Sequence, residues 1–230
     1  MHNGIRLITF DLDDTLWDGT EVILNAEAAM QAWLAENAPG VLARYSPQEL
    51  RELKFAFARE NPQILHKVSE VRQKFLAWLF SEMGYATPHA MAADCFNAFY
   101  QARQQVRLFS GVKGLLAGLQ QHYRLAALTN GNANIRQIGL QDYFEFCFCA
   151  EDFSAPKPAP DLFLATVKHS GLKPHEILHV GDHPEHDIRG ASALGFKTCW
   201  LNDGKRPLPE NLQPDYEIRH IQELAAHLLK

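Results

Sequence analysis

The sequence predicts an α/β protein: a parallel sheet covered by helices, with a separate run of helices inserted after the first strand. Two observations carry that expectation. From Phe109 onward, short apolar runs rich in β-branched and aromatic residues alternate with segments of helical periodicity, the pattern that crossover connections in a parallel sheet produce. Between Val22 and Arg107, by contrast, no strand-like run occurs and apolar residues recur at three- and four-residue spacing.

Residues 5–10 are mostly apolar and β-rich, which fits a strand buried on both faces. Helical patterns follow at 22–36, 47–60, 69–85 and 88–106, separated by the loop signals Ala38-Pro39-Gly40, Asn61-Pro62 and Thr87-Pro88. Later strands are predicted at 125–129, 146–150, 177–180, 197–201 and 216–218. Helices are predicted at 112–122, 134–139, 160–170, 185–194 and 221–229. The first and later strands then belong to one sheet. The domain division that follows is a core of residues 1–16 and 108–230 and a four-helix insertion, residues 17–107, expected to lie over the strand ends as a lid.

Composition narrows the partners. Of 230 residues, 47% are hydrophobic and 21% charged, as in an ordinary globular protein. The formal net charge of -5 supplies no basic footprint for nucleic acid or an anionic membrane, so any phosphate recognition must be local. Cys95, Cys147, Cys149 and Cys199 show neither paired metal-ligand spacing nor a dense disulfide framework, which fits reduced thiols in the cytoplasm. The apolar run at the amino terminus stops at Asp11, too short for a signal peptide or an anchor. Oligomeric state is not legible.

Chemistry concentrates where strands end. Phe10-Asp11-Leu12-Asp13-Asp14-Thr15 places two carboxylates two residues apart at the end of the first strand, where ligands of open α/β sheets bind. Carboxylates beside a hydrophobic strand are costly without a cation or hydrogen bonds. The bland alternative is a polar turn with Asp14-Thr15 capping a helix. Leu128-Thr129-Asn130-Gly131-Asn132 closes another strand with a hydroxyl and an amide suited to phosphate oxygens, although alone it reads as a capping turn. Ser154-Ala155-Pro156-Lys157-Pro158 holds a lysine between prolines, and alone reads as a rigid surface loop. Ile177 through Asp182 is a further apolar strand ending in a carboxylate, with Asp187 following as a helix begins.

The order of these four stations along one alternating chain is more specific than any of them. Together they resemble the four motifs of the haloacid-dehalogenase-like hydrolase superfamily, and the insertion resembles its helical cap. Within it, Thr129-Asn130-Gly131-Asn132, the run Asp142-Tyr143-Phe144-Glu145-Phe146 and the segment from Glu176 to Asp182 are similar to flavin-pathway phosphatases acting on FMN and on 5-amino-6-(5-phospho-D-ribitylamino)uracil. The resemblance implies a Rossmann-like core and a phosphatase that works through an aspartyl-phosphate. It assigns Asp11 as nucleophile and Asp13 as the acid that protonates the leaving alcohol and then activates water. Mg2+ would be held by Asp11, the Asp13 carbonyl and Asp182, with Asp187 behind them orienting metal-bound water or Lys157. Lys157, Thr129 and the amides of Leu12 and Asn130 would neutralise the phosphate oxygens.

Dehalogenases of the superfamily lack an aspartate at the second position, so Asp13 favours the phosphatase. Lys54, Lys67 and Lys74 stand in amphipathic, apparently solvated contexts, unlike the Schiff-base lysine that phosphonate hydrolysis requires. Mutase chemistry uses the same stations and stays open. So do other small phosphorylated metabolites (nucleoside monophosphates, sugar phosphates, phosphoglycolate) and a non-catalytic module that binds a phospho-ligand. Trp17 can meet a substrate ring or pack the hinge of the insertion. Arg103 and Arg107, near the insertion's return to the core, can meet polar substrate groups, but a solvated helix face is the commoner account of such residues. His66, His89, His179, His183 and His186 have no ligand spacing and receive no catalytic role.

Overall fold

The computed structural model describes residues 4–229. The sheet has six strands, β1 (Leu7–Phe10), β2 (Arg124–Thr129), β3 (Phe146–Cys149), β4 (Ile177–Gly181), β5 (Lys197–Leu201) and β6 (Tyr216–Ile218), in the order β3-β2-β1-β4-β5-β6. Every pairing is parallel. Burial follows position: β1 and β4 are buried at every residue, whereas the edge strands β3 and β6 are largely half-buried or exposed. Continuous apolar runs therefore belong to the central strands, which helices cover on both faces.

β1 lies between β2 and β4, with Phe10 opposite Ala127 on one side and Val180 on the other. The ladder continues one residue beyond the strand, where the Asp11 amide donates to the Val180 carbonyl at 2.9 Å. Leu7, Ala126, Leu128, Phe146, Phe163, Ile177 and Phe196 form a core on the sheet.

The chain divides into two compact units, Met1–Gly19 with Arg107–Lys230, and Thr20–Val106. The second is helical: α1 (Gly19–Asn37) begins at its edge, followed by α2 (Pro39–Arg44), α3 (Pro47–Glu60), α4 (Val68–Glu82) and α5 (Pro88–Arg103). The expected four helices are thus five. Ala38-Pro39-Gly40 was read as a loop, but Pro39 stands in the first turn of α2, where the missing N–H costs nothing and the fixed φ suits a helix. At α3, Ser46 and Glu49 close a capping box, the Ser46 amide donating to Glu49 at 2.7 Å. Leu34, Phe75, Leu76, Leu79, Phe80 and Phe99 build this unit's core.

Two basic residues of the helical unit depart from the solvated expectation. Arg103 is buried. Lys54 is only 15% exposed in its side chain and lies 3.7 Å from the buried carboxylate of Glu27, which also faces Arg51 at 3.4 Å and Arg72 at 4.0 Å. The Arg72 guanidinium in turn sits 3.6 Å over the Phe99 ring. Burial pushes Lys54 down to about 8, the neighbouring Arg72 adding to it and Glu27 opposing it.

The sheet unit's helices are α6 (Val112–Gln120), α7 (Ile135–Ile138), α8 (Asp161–Ser170), α9 (Gly190–Ser192) and α10 (Leu224–Leu228). The helix expected at 185–194 begins as a wider π turn over Pro184–Arg189 before α9. No described helix is long and apolar enough to cross a membrane, and Cys95, Cys147, Cys149 and Cys199 form no disulfide.

Candidate active site

Asp11 leaves β1 and Asp182 leaves β4, so two acids emerge from adjacent strands at the same end of the sheet. Asp187 joins them from the π turn. These three buried carboxylates each offer an oxygen within 4.8 Å of the others. Lys157, from the loop after β3, enters the group from below: its ammonium donates to Asp11 at 2.8 Å, to Asp187 at 2.6 Å and to the Leu128 carbonyl at 2.7 Å. All three N–H bonds of the ammonium thus have protein acceptors. What Lys157 offers an incoming anion is charge rather than a spare donor.

The lysine is itself held. The Asn130 side chain accepts from the Lys157 amide at 2.8 Å and donates to the Lys157 carbonyl at 2.9 Å, clamping a backbone flanked by two prolines. Asn130 was expected to serve phosphate through its amide; its side chain has this second task. Thr129 is buried, and its hydroxyl accepts from the Gly131 amide at 3.0 Å, which fixes the turn leaving β2.

Asp187 is the most constrained acid. Its Oδ1 also faces His179 Nε2 at 3.1 Å, and its Oδ2 accepts from the His183 amide at 3.0 Å. The other ring nitrogen of His179 meets the Thr9 hydroxyl at 2.8 Å, inside the sheet. A neutral ring donating through Nε2 and accepting at Nδ1 satisfies both contacts. His179, left without a role by the sequence reading, is therefore the residue that links β1, β4 and Asp187. His183 also departs from expectation: its Nδ1 accepts from the amides of Glu185 at 3.2 Å and His186 at 3.3 Å, capping the π turn. Gly181 is required here, since a β-carbon on it would lie 2.3 Å from Asp187 Cγ.

Asp13 has a partner of its own. Its Oδ1 accepts from the Trp17 indole at 2.8 Å, and Gly19 packs so closely that an added β-carbon would lie 2.9 Å from Asp13 Cβ. Trp17 has no exposed surface. Of the two readings open for it, packing is the one this burial favours, and the indole N–H holds Asp13. The turn that brings Asp13 round passes through Asp14 at φ 60°, a left-handed conformation that Asp tolerates better than most residues. Thr15 does not cap a helix; its hydroxyl donates to Asp11 Oδ2 at 3.4 Å. Leu12 is buried, and its carbonyl accepts from Leu16 at 2.8 Å to close the turn.

The electrostatics are those of acid in excess. Burial raises Asp11 well above the ordinary carboxylate range, Asp187 and Asp182 add to the rise, and Lys157 only partly offsets it. Burial also lifts Asp182 to about 7, with Asp187 adding and Arg206 opposing. For Asp187 burial acts in the same direction, but Lys157 and His179 outweigh it and hold the group below its usual range. Three hard oxygen donors balanced by one ammonium suit a divalent cation of the Mg2+ type, which would bring the group to neutrality.

A family model for haloacid dehalogenase-like hydrolases matches residues 5–195. The chain is 31% identical to the 5-amino-6-(5-phospho-D-ribitylamino)uracil phosphatase YigB of Escherichia coli K12, over 96% of this chain and 95% of that one. It is 28% identical to the N-acylneuraminate-9-phosphatase of Mus musculus, over 97% and 94%. A solved 2-haloacid dehalogenase from Pseudomonas syringae pv. Tomato DC3000 superposes with a TM-score of 0.90 at 37% identity, covering 98% of each chain. With the family model spanning strands β1 to β4 and the whole helical unit, and the acids of the first and fourth stations converging on Lys157, the chain belongs to the haloacid dehalogenase-like hydrolases.

Proposed function

We propose that this protein is a Mg2+-dependent phosphomonoesterase acting on a small phosphorylated metabolite through an aspartyl-phosphate on Asp11. The observation that carries the reading is the pair of differently treated carboxylates: Asp11 buried against Lys157, and Asp13 held by the Trp17 indole. Asp11 attacks phosphorus, and its attack requires the ionised form that burial opposes. Lys157 supplies part of the positive charge that restores it; Asp11, Asp182 and the Asp13 carbonyl would hold a divalent cation, which would supply the rest and polarise the phosphoryl group. Asp13 protonates the departing alcohol, then takes a proton from the water that hydrolyses the acyl phosphate. Asp187 sets the position of Lys157. Thr129 and the amides of Leu12 and Asn130 meet the phosphate oxygens.

A second reading is favoured by the dehalogenase relative, at 37% identity. A halide departs without a proton and has no use for Asp13, whereas an alkoxide needs one. Asp13 therefore argues for the ester. For substrate, the Escherichia coli relative, named for the ribitylaminouracil phosphate, supports that compound, and FMN rests on the sequence resemblance alone; the N-acylneuraminate-9-phosphatase supports a sugar phosphate. We favour the flavin-pathway esters, whose ring and ribityl chain offer remote binding energy that small phosphates lack. The test is phosphate release from FMN, the ribitylaminouracil phosphate, nucleoside monophosphates, sugar phosphates and phosphoglycolate, with Mg2+ present and then chelated, beside halide release from a 2-haloacid. Halide release exceeding phosphate release would overturn the phosphatase reading. Preference for phosphoglycolate or a sugar phosphate would overturn only the flavin-pathway assignment.

A further inference from the structure

After β5 the chain turns through Asn202-Asp203-Gly204-Lys205-Arg206. Two side chains of this segment shape the turn themselves, Asn202 accepting from the Gly204 amide at 3.1 Å and Asp203 from the Lys205 amide at 2.9 Å. It delivers two cations to two different stations. Lys205 reaches Asp14 of the first at 3.3 Å and Asp203 at 3.0 Å. Arg206 reaches Asp182 of the fourth, its guanidinium donating to Oδ2 in a short contact. Asp182 is only 6% exposed in its side chain, while Arg206 is 36% exposed. The acid is thus fixed at a strand end, and the cation reaches it from a surface segment.

The charge count makes this contact informative. Fully ionised, Asp11, Asp182 and Asp187 set three negative charges against Lys157, a deficit that a divalent cation would fill. With Arg206 in contact, one of the two missing charges is already supplied. A divalent ion arriving beside Asp182 meets a guanidinium of like charge that holds one of the two carboxylate oxygens, and in a buried site that repulsion is poorly screened. We propose that Arg206 is a built-in counter-cation that competes with the divalent ion for Asp182, holding the metal-free acid in place and leaving it when the ion binds. The inference rests on the metal reading of the preceding section.

The readout is binding rather than turnover. Titration calorimetry with Mg2+ and with Mn2+ should give an affinity about five- to tenfold tighter for Arg206→Gln than for the wild type, the scale set by losing one partly exposed ion pair and one like-charge neighbour. Arg206→Lys, which keeps the charge, should stay near the wild type. The melting temperature gained on adding Mg2+ should be larger in Arg206→Gln, because only its metal-free form loses a partner. In the wild type, trypsin should cleave after Lys205 faster with Mg2+ than without. Unchanged or weaker metal affinity in Arg206→Gln, or cleavage indifferent to metal, would overturn the proposal and leave Arg206 as a residue that orients Asp182. Failure of the wild type to bind either ion would overturn the metal reading along with it.

Discussion

The molecule buries charge in two places, and the two are built differently. In the sheet unit, acids outnumber the lysine among them, and its ion pairs run at 2.6 to 2.8 Å. In the helical unit one carboxylate, Glu27, faces Arg51, Lys54 and Arg72 at 3.4 to 4.0 Å. The first group sits at strand ends and turns, where backbone fixes each side chain. The second is assembled from long side chains on helices, which trade contact for reach. Burial of charge alone therefore does not mark a catalytic site. A tight group with an excess of one sign, which a cofactor or substrate can neutralise, does so far better. In the loose group, burial depresses the lysine to about 8, with the neighbouring Arg72 adding to it.

Substitutions in the two groups should separate these cases. The largest effect is expected at Asp11→Asn, which removes the proposed nucleophile and a proposed cation ligand together: phosphate release should fall roughly 10⁴-fold or more while circular dichroism stays that of the wild type. Comparable turnover in a folded variant would end the distinction between the groups. Gly181→Ala comes next, since the added carbon would overlap Asp187 at 2.3 Å from Cγ; urea unfolding should register a loss of about 2–4 kcal/mol, with activity falling alongside. His179→Gln should lower kcat/KM by about tenfold, the scale of residues that orient a ligand from behind. That loss should appear in kcat more than in KM, and equal stability with unchanged kcat would make His179 mere packing.

The smallest effect tests the helical group. Lys54 titrates near 8 in the fold against an ordinary 10.5, so the folded state surrenders this proton first. Its charged form destabilises the protein below about pH 8, and that cost is relieved as pH climbs towards 10.5. Lys54→Met should accordingly gain about 1 kcal/mol over the wild type at pH 7, with the advantage shrinking by pH 10 in paired urea titrations. A constant difference across that range would mean that Lys54 is not the strained member of its group.

Much of the sheet unit was legible because strand ends leave local marks: an apolar run, then Asp11, Thr129 or Asp182. The stations lie far apart in sequence, yet their order identifies them. What stayed hidden depends on contacts through space. Nothing near Asn130 announces that its amide grips the backbone of Lys157, and no spacing rule finds His179, whose partners are one strand away and eight residues ahead. Trp17 was visible as a large ring near the motif, but only packing decides that it serves Asp13. Lys54 and Arg103 were misread for another reason: amphipathic periodicity treats a charged residue as exposed by default. Pro39 misled in the opposite way, because the residue that breaks a helix interior also opens a helix well.

The central place of β1 has a consequence for assembly in time. This strand is made before both its neighbours, β2 at Arg124–Thr129 and β4 at Ile177–Gly181, which come from far downstream. Closing such distant pairings carries a large entropic cost and makes for slow, all-or-none ordering. A ribosome-bound or truncated chain that stops before β4 has Asp11 but lacks Asp182, Asp187 and the strand that sets Asp11 in register. The cluster of Asp11, Asp182 and Asp187 is thus a property of the completed sheet, and its appearance during synthesis would be a clock for the last central pairing.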